Sequence, residues 1–237
     1  MQRQWTISVL ATLLPAVSAA AGVVQIDDAG SFLLSSSSMP GLFDGDSMSF
    51  PDSSLAAVHD ELWDWGIDTD GHITILPVDT NTGLSILVLI DRELGGGDTG
   101  MSGALGAAST APGGRSLFIN DSDQDSWTLI EPPFGSQTLG ATFLWGSAGS
   151  GDGFAWSGLI TGDTFSFTFN DLTGDGDALD DVAFQFVGWD MDDGWGVMST
   201  AAFKSSGDYV FSGQIIPAPP AALLLAGLAL TRRRRSA

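Results

Sequence analysis

The sharpest chemical pattern in the chain is Asn170-Asp-Leu-Thr-Gly-Asp-Gly-Asp-Ala-Leu-Asp-Asp181. Asp171, Thr173 and Asp175 occupy alternate positions, Gly176 follows, and Asp177, Asp180 and Asp181 lie beyond. Short oxygen side chains on every second residue can converge on one hard cation, and a glycine lets the chain turn round it. Where a twelve-residue calcium loop carries a bidentate Glu at its last position, this chain has Val182. The pattern predicts a Ca2+ loop capping a β-hairpin, against the alternative of an acidic turn that binds nothing. Asp121, Asp123 and Asp125 repeat the alternation without a turn glycine and form the second candidate. Asp64, Asp68 and Asp70 before Gly71, and Asp190, Asp192 and Asp193 before Gly194, are weaker versions.

Two carboxylates about 4 Å apart repel by roughly 1 kcal/mol in water, and by several times that near a protein surface. Acids spaced this closely favour proton uptake, salt screening or a bound divalent ion. A saline habitat would also explain an acid excess, but not the alternation beside glycines.

Catalytic chemistry has little to work with. His59 and His72 are the only imidazoles, and no Gly-x-Ser-x-Gly elbow or phosphate-cradling glycine loop stands out. Two carboxylates flanking a sugar would make a glycosidase, but 26 aspartates leave that test without power. Tryptophan offers another chemistry, because indole faces stack on sugar rings. Trp65 and Trp195 are the candidates for exposed stacking, and their segments, Trp63-Asp-Trp-Gly-Ile-Asp68 and Trp189-Asp-Met-Asp-Asp-Gly-Trp195, echo each other. Trp145 and Trp156 fit a buried face instead.

The elements that must position these residues read as strands. Phe165, Phe167 and Phe169 alternate, as do Val182, Phe184 and Phe186; Ser126 to Ile130, Thr138 to Trp145 and the segment from Tyr209 and Phe211 behave alike. Period-two alternation marks a sheet with one buried face. Leu84 to Ile90 is nearly continuous and suits a central strand, paired with His72 to Val78 through a turn at Asp79 to Gly83. Gly146 to Gly153 reads as a hairpin tip and Gly95 to Gly114 as a long loop. Ser54 to Trp65, with Leu55, Val58 and Leu62 at helical spacing behind a Ser cap, is the one helix expected within 22–216. These elements predict an all-β fold, a single β-sandwich or jelly-roll-like domain over 22–216.

Both ends read as addresses. Residues 1–21 combine Arg3, an apolar stretch and small residues at Val17 to Ala21, the form of a removable signal peptide. Residues 217–237 run from Pro217-Ala-Pro219-Pro220 through apolar Ala221 to Leu230 to Arg232, Arg233, Arg234 and Arg235. Such a segment predicts a short hydrophobic helix that is marginal as a full span, with its arginines held on the cytoplasmic side. This order resembles the PEP-CTERM sorting signal of Gram-negative bacteria, with Ala218 where that motif has Glu. The resemblance implies transient inner-membrane anchoring, recognition by an exosortase-type protease, and delivery to the cell surface or an exopolysaccharide matrix.

Composition closes off other classes. The 237 residues contain no cysteine, so disulfides, thiolate zinc sites and thiol catalysis are out. The segment between the addresses holds all 29 acids and only Arg92, Arg115 and Lys204, which argues against nucleic acid as a partner. The sequence therefore predicts an exported, non-enzymatic surface or matrix protein stabilised by Ca2+. A calcium-dependent carbohydrate-binding module is the alternative, and a secreted hydrolase ranks third.

Overall fold

A computed structural model describes residues 22–27, 31–43, 49–90, 103–120, 126–145, 152–174, 184–202 and 209–217. Fourteen strands and one helix follow in order: β1 (Val23–Asp27), β2 (Ser31–Ser35), β3 (Ser37–Ser38), α1 (Asp52–Asp64), β4 (Ile73–Thr80), β5 (Gly83–Ile90), β6 (Gly103–Pro112), β7 (Ser116–Ile119), β8 (Ser126–Ile130), β9 (Ser136–Trp145), β10 (Asp152–Leu159), β11 (Thr164–Gly174), β12 (Phe184–Asp190), β13 (Gly194–Ala201) and β14 (Tyr209–Ile216). Sheet 1 has the order β2-β1-β14-β11-β6-β9-β8, and sheet 2 the order β13-β12-β4-β5-β10-β7, with β3 beside β4.

The alternating strands build the space between the sheets. Phe165, Phe167 and Phe169 of β11 meet Phe154 and Trp156 of β10, Phe184 and Phe186 of β12, and the aliphatic side chains Ile73, Ile86 and Val88. Phe184 stacks on Tyr209 at 4.1 Å and Phe143 on Phe154 at 5.7 Å, so the aromatic rings tie one sheet to the other.

A second core lies on the opposite face of sheet 2. Leu55, Val58 and Leu62 of α1 pack there with Leu76, Val78, Leu87, Leu89 and Phe118. This explains the continuous apolar runs of β4 and β5, which are covered on both faces. A two-layer sandwich needs only one such core; here a helix makes a third layer. The helix begins at Asp52 rather than Ser54. Pro51 precedes it with no side-chain cap, and the amides of Ser54 and Leu55 close on the Pro51 carbonyl.

Three expectations are corrected. Gly95 to Gly114 is not one loop, because Gly103–Pro112 forms β6, paired on both sides inside sheet 1. Its small residues fit between bulky neighbours: the Asn170 side chain fills the space beside Gly106, and Trp156 donates its indole N–H to Ser109 Oγ at 2.6 Å. Gly146 to Gly153 is not a hairpin tip, since β9 belongs to sheet 1 and β10 to sheet 2. The same holds for β11 and β12, so the strands flanking the first acidic candidate form no hairpin.

The registers give the sandwich two distinct ends. At one, Ile90 pairs with Ile73 and Asp152, Gly103 with Trp145 and Gly174, and Phe184 with Ile73. The five segments that leave and re-enter the fold there, 91–102, 121–125, 146–151, 175–183 and 203–208, each connect a strand of one sheet to a strand of the other. At the opposite end, Val23 pairs with Ile216, placing the start of β1 beside the finish of β14.

Candidate functional site

The two echoing tryptophan segments meet in space. Helix α1 ends in a glycine-terminated turn: the Gly66 amide donates to the Trp63 carbonyl and the Ile67 amide to the Leu62 carbonyl, with Gly66 at φ 76°. That turn buries Ile67 on Leu62 and carries Trp65 to the edge of sheet 2. Trp65 donates its indole N–H to Glu61 Oε1 at 3.0 Å. Its ring lies over Gly194, where a Cβ would sit 2.3 Å from the ring. Gly194 also has φ 81°, so two independent constraints require glycine there. Trp189 and Trp195 face each other across β12 and β13. Trp65 meets Trp189 edge-on at 5.6 Å and Trp189 meets Trp195 edge-on at 5.4 Å, forming one chain of three indoles.

Exposure divides the candidates. Trp65 is 44% exposed and remains available for stacking, whereas Trp195 is 4% exposed and belongs to the second core. The expectation of an exposed Trp195 is therefore corrected: the helix layer covers the start of β13. Trp63, 51% exposed on the last turn of α1, was not singled out from sequence although it belongs to the same segment.

Local turns engage two of the acids around this corner. Asp190 Oδ1 accepts the backbone amides of Asp192 and Asp193 at 2.8 and 3.3 Å, and Asp68 Oδ1 accepts that of Asp70 at 3.0 Å. A carboxylate closing on an amide two residues ahead is a turn-forming device, and it gives Asp68 and Asp190 a structural role. Among the described residues no group of three or more His, Asp or Glu is arranged to hold a metal.

Strand β11 runs through Asp171 and Thr173 to Gly174, so the opening of the first calcium candidate is strand rather than loop. Asp175, Asp177, Asp180 and Asp181, like Asp121, Asp123 and Asp125, lie outside the described residues. Their flanking strands nevertheless end together: Gly174, Phe184, Asn120 and Ser126 all border the end from which the five sheet-crossing segments leave. In sequence those segments hold eleven acids and two bases. Asp152, buried, begins β10 at the same end. Pro217 follows β14 directly, whereas Pro219, Arg232, Arg233, Arg234 and Arg235 are outside the described residues, as are the segments expected to be a signal peptide and a C-terminal helix. No helix among the described residues is long and apolar enough to cross a membrane.

Both imidazoles hold the fold together. His59 Nδ1 bonds Thr69 Oγ1 at 2.7 Å in the second core, and His72 Nδ1 lies 2.6 Å from the Asp70 carbonyl. A shallow depression of 190 Å³ on sheet 1, lined by Ser126, Trp127, Thr128 and Gly140 to Thr142, is smaller than ordinary ligand pockets. A bidentate ion pair lies elsewhere. Arg115 Nε and Nη2 donate to Asp163 at 2.6 and 3.0 Å, and the Ile160 amide adds a third bond at 2.9 Å. Burial alone would raise the Asp163 carboxyl, but these donors and the guanidinium charge hold it below the usual range. Burial raises the Asp79 carboxyl.

Comparison with protein-family models, curated proteins and solved structures returns no match.

Proposed function

We propose that this chain is an exported, non-enzymatic protein of the cell surface or extracellular matrix, sorted through its tail by an exosortase-type protease and stabilised by Ca2+. The observation that carries the reading is the pairing of Val23 with Ile216. Both address segments adjoin the sandwich at one end, so their removal interrupts no strand. The acid-rich segments connect strands at the opposite end. His59 is buried against Thr69, out of reach of a substrate in solvent, which supports the non-enzymatic reading.

For Ca2+, the support is the alternation of Asp171, Thr173 and Asp175 and the bordering of both acidic candidates on one end. Calorimetric titration of the secreted protein should show saturable Ca2+ binding, and saturating Ca2+ should raise the melting temperature by about 5–10 °C over chelator. Asp175→Ala with Asp177→Ala should abolish that shift. No heat and no shift would remove the calcium reading, while intact tail on cytosolic protein in fractionated cells would remove the sorting reading.

The second reading, a carbohydrate-binding module, is favoured by one observation: Trp65 is half-exposed beside carboxylates and locked in place by Glu61 and Gly194. A prepositioned indole loses little freedom on binding.

A further inference from the structure

The tryptophan corner also constrains the charge of its ligand, an argument that rests on the carbohydrate reading. Glu61, Asp64, Asp190, Asp192 and Asp193 are all exposed around Trp65. Arg115, the one lysine or arginine among the described residues, is committed to Asp163. The last turn of α1 has no basic residue and carries Glu61 and Asp64 instead. A helix C-terminus carries partial negative charge, so cations there are stabilising and carboxylates are not. The chain thus places acids against the local field at the point where it also exposes Trp63, Trp65 and Met191, the last at 82%. A carboxylate-rich rim repels uronate or sulfated polymers, whereas an ammonium gains from carboxylates and from the indole face together.

We propose that the Trp65–Trp189 corner binds an amino-sugar polymer bearing free, protonated amines, with a sugar ring on Trp65 and its ammonium beside Asp192 and Asp193. Asp190 is less free for this role, because its Oδ1 already accepts two backbone amides.

The test titrates the secreted protein at pH 6 and low salt with four probes: a glucosamine hexamer, its fully N-acetylated counterpart, a galacturonate hexamer and hexalysine. Calorimetry and tryptophan fluorescence are the readouts. The free-amine hexamer should bind about tenfold tighter than the acetylated one, a difference of about 1.4 kcal/mol, and galacturonate should not bind. Asp192→Asn with Asp193→Asn, both exposed and free of packing duties, should erase that preference without affecting the acetylated sugar. Trp65→Ala should abolish binding of both sugars. Trp65→Phe, which keeps an aromatic ring over Gly194, should retain part of it. Equal or tighter binding of the acetylated hexamer overturns the charge class while leaving the carbohydrate reading standing. Absence of binding by either sugar overturns both. Hexalysine binding as tight as the free-amine sugar and insensitive to Trp65→Ala shows a site that reads charge alone, and also overturns the proposal.

Discussion

The Arg115–Asp163 pair joins the connection between β6 and β7 to that between β10 and β11, close to where β14 finishes: the Ile215 amide donates to the Asp163 carbonyl at 2.9 Å. Removing one partner of a largely buried, hydrogen-bonded charge pair leaves the other unsatisfied, so Asp163→Asn should cost about 2–3 kcal/mol at neutral pH. The folded carboxyl titrates below its unfolded counterpart. Its stabilisation is therefore complete above the unfolded value and is lost as pH falls through the folded one. Urea melts of wild type and variant should differ fully at pH 7, begin to approach each other as pH falls below about 4, and converge only below the folded value. A difference independent of pH would mean that packing, not charge, is what the side chain supplies. Sequence inspection had no means of pairing Arg115 with Asp163, because 26 aspartates offer the same chemistry.

Helix α1 shows what an element does here. Its start is tied to one side of sheet 2, where Asn120 Nδ2 donates to the Phe50 carbonyl and to Asp52 Oδ1; its finish rests Trp65 on Gly194 on the far side. Leu62 is fully buried one turn before that finish and anchors the glycine-terminated turn through Ile67. Leu62→Ala should cost about 2–5 kcal/mol in a denaturant melt. It should also shift tryptophan emission to the red as the indole corner loosens. A loss of stability with unchanged emission would separate the helix from the corner it is argued to hold. The helix itself was readable from the spacing of Leu55, Val58 and Leu62. Its partner surface was not, since the continuous runs of β4 and β5 announce burial on two faces without saying what provides the second cover.

At the scale of the whole molecule, the described residues form one compact unit within Ala21–Pro219. Because β1 begins at Val23 and β14 ends at Ile216, a protein of residues 22–217 should melt within about 2 °C of the full chain, a change worth less than about 1 kcal/mol for a domain of this size. Ending the chain at Tyr209 instead removes β14 from between β1 and β11 and should abolish cooperative unfolding altogether. A cooperative melt in that shorter chain would contradict the sheet order. The resulting polarity, termini at one end and acid-rich crossings at the other, is a property of connectivity rather than of any single segment.

The sequence by itself determined what is local. Alternating phenylalanines specify strands, Leu84 to Ile90 specifies a central strand, and the spacing in α1 specifies a helix, because each follows from backbone period and side-chain polarity over a few residues. Only the tertiary structure decided what depends on distant partners. It decided that Trp195 is covered while Trp65 is not, that Asp68 and Asp190 close turns, and that the strands flanking each acidic crossing belong to different sheets. Burial and proximity are set by which surfaces meet, and segments as far apart as Trp65 and Gly194 acquire their roles only through that meeting.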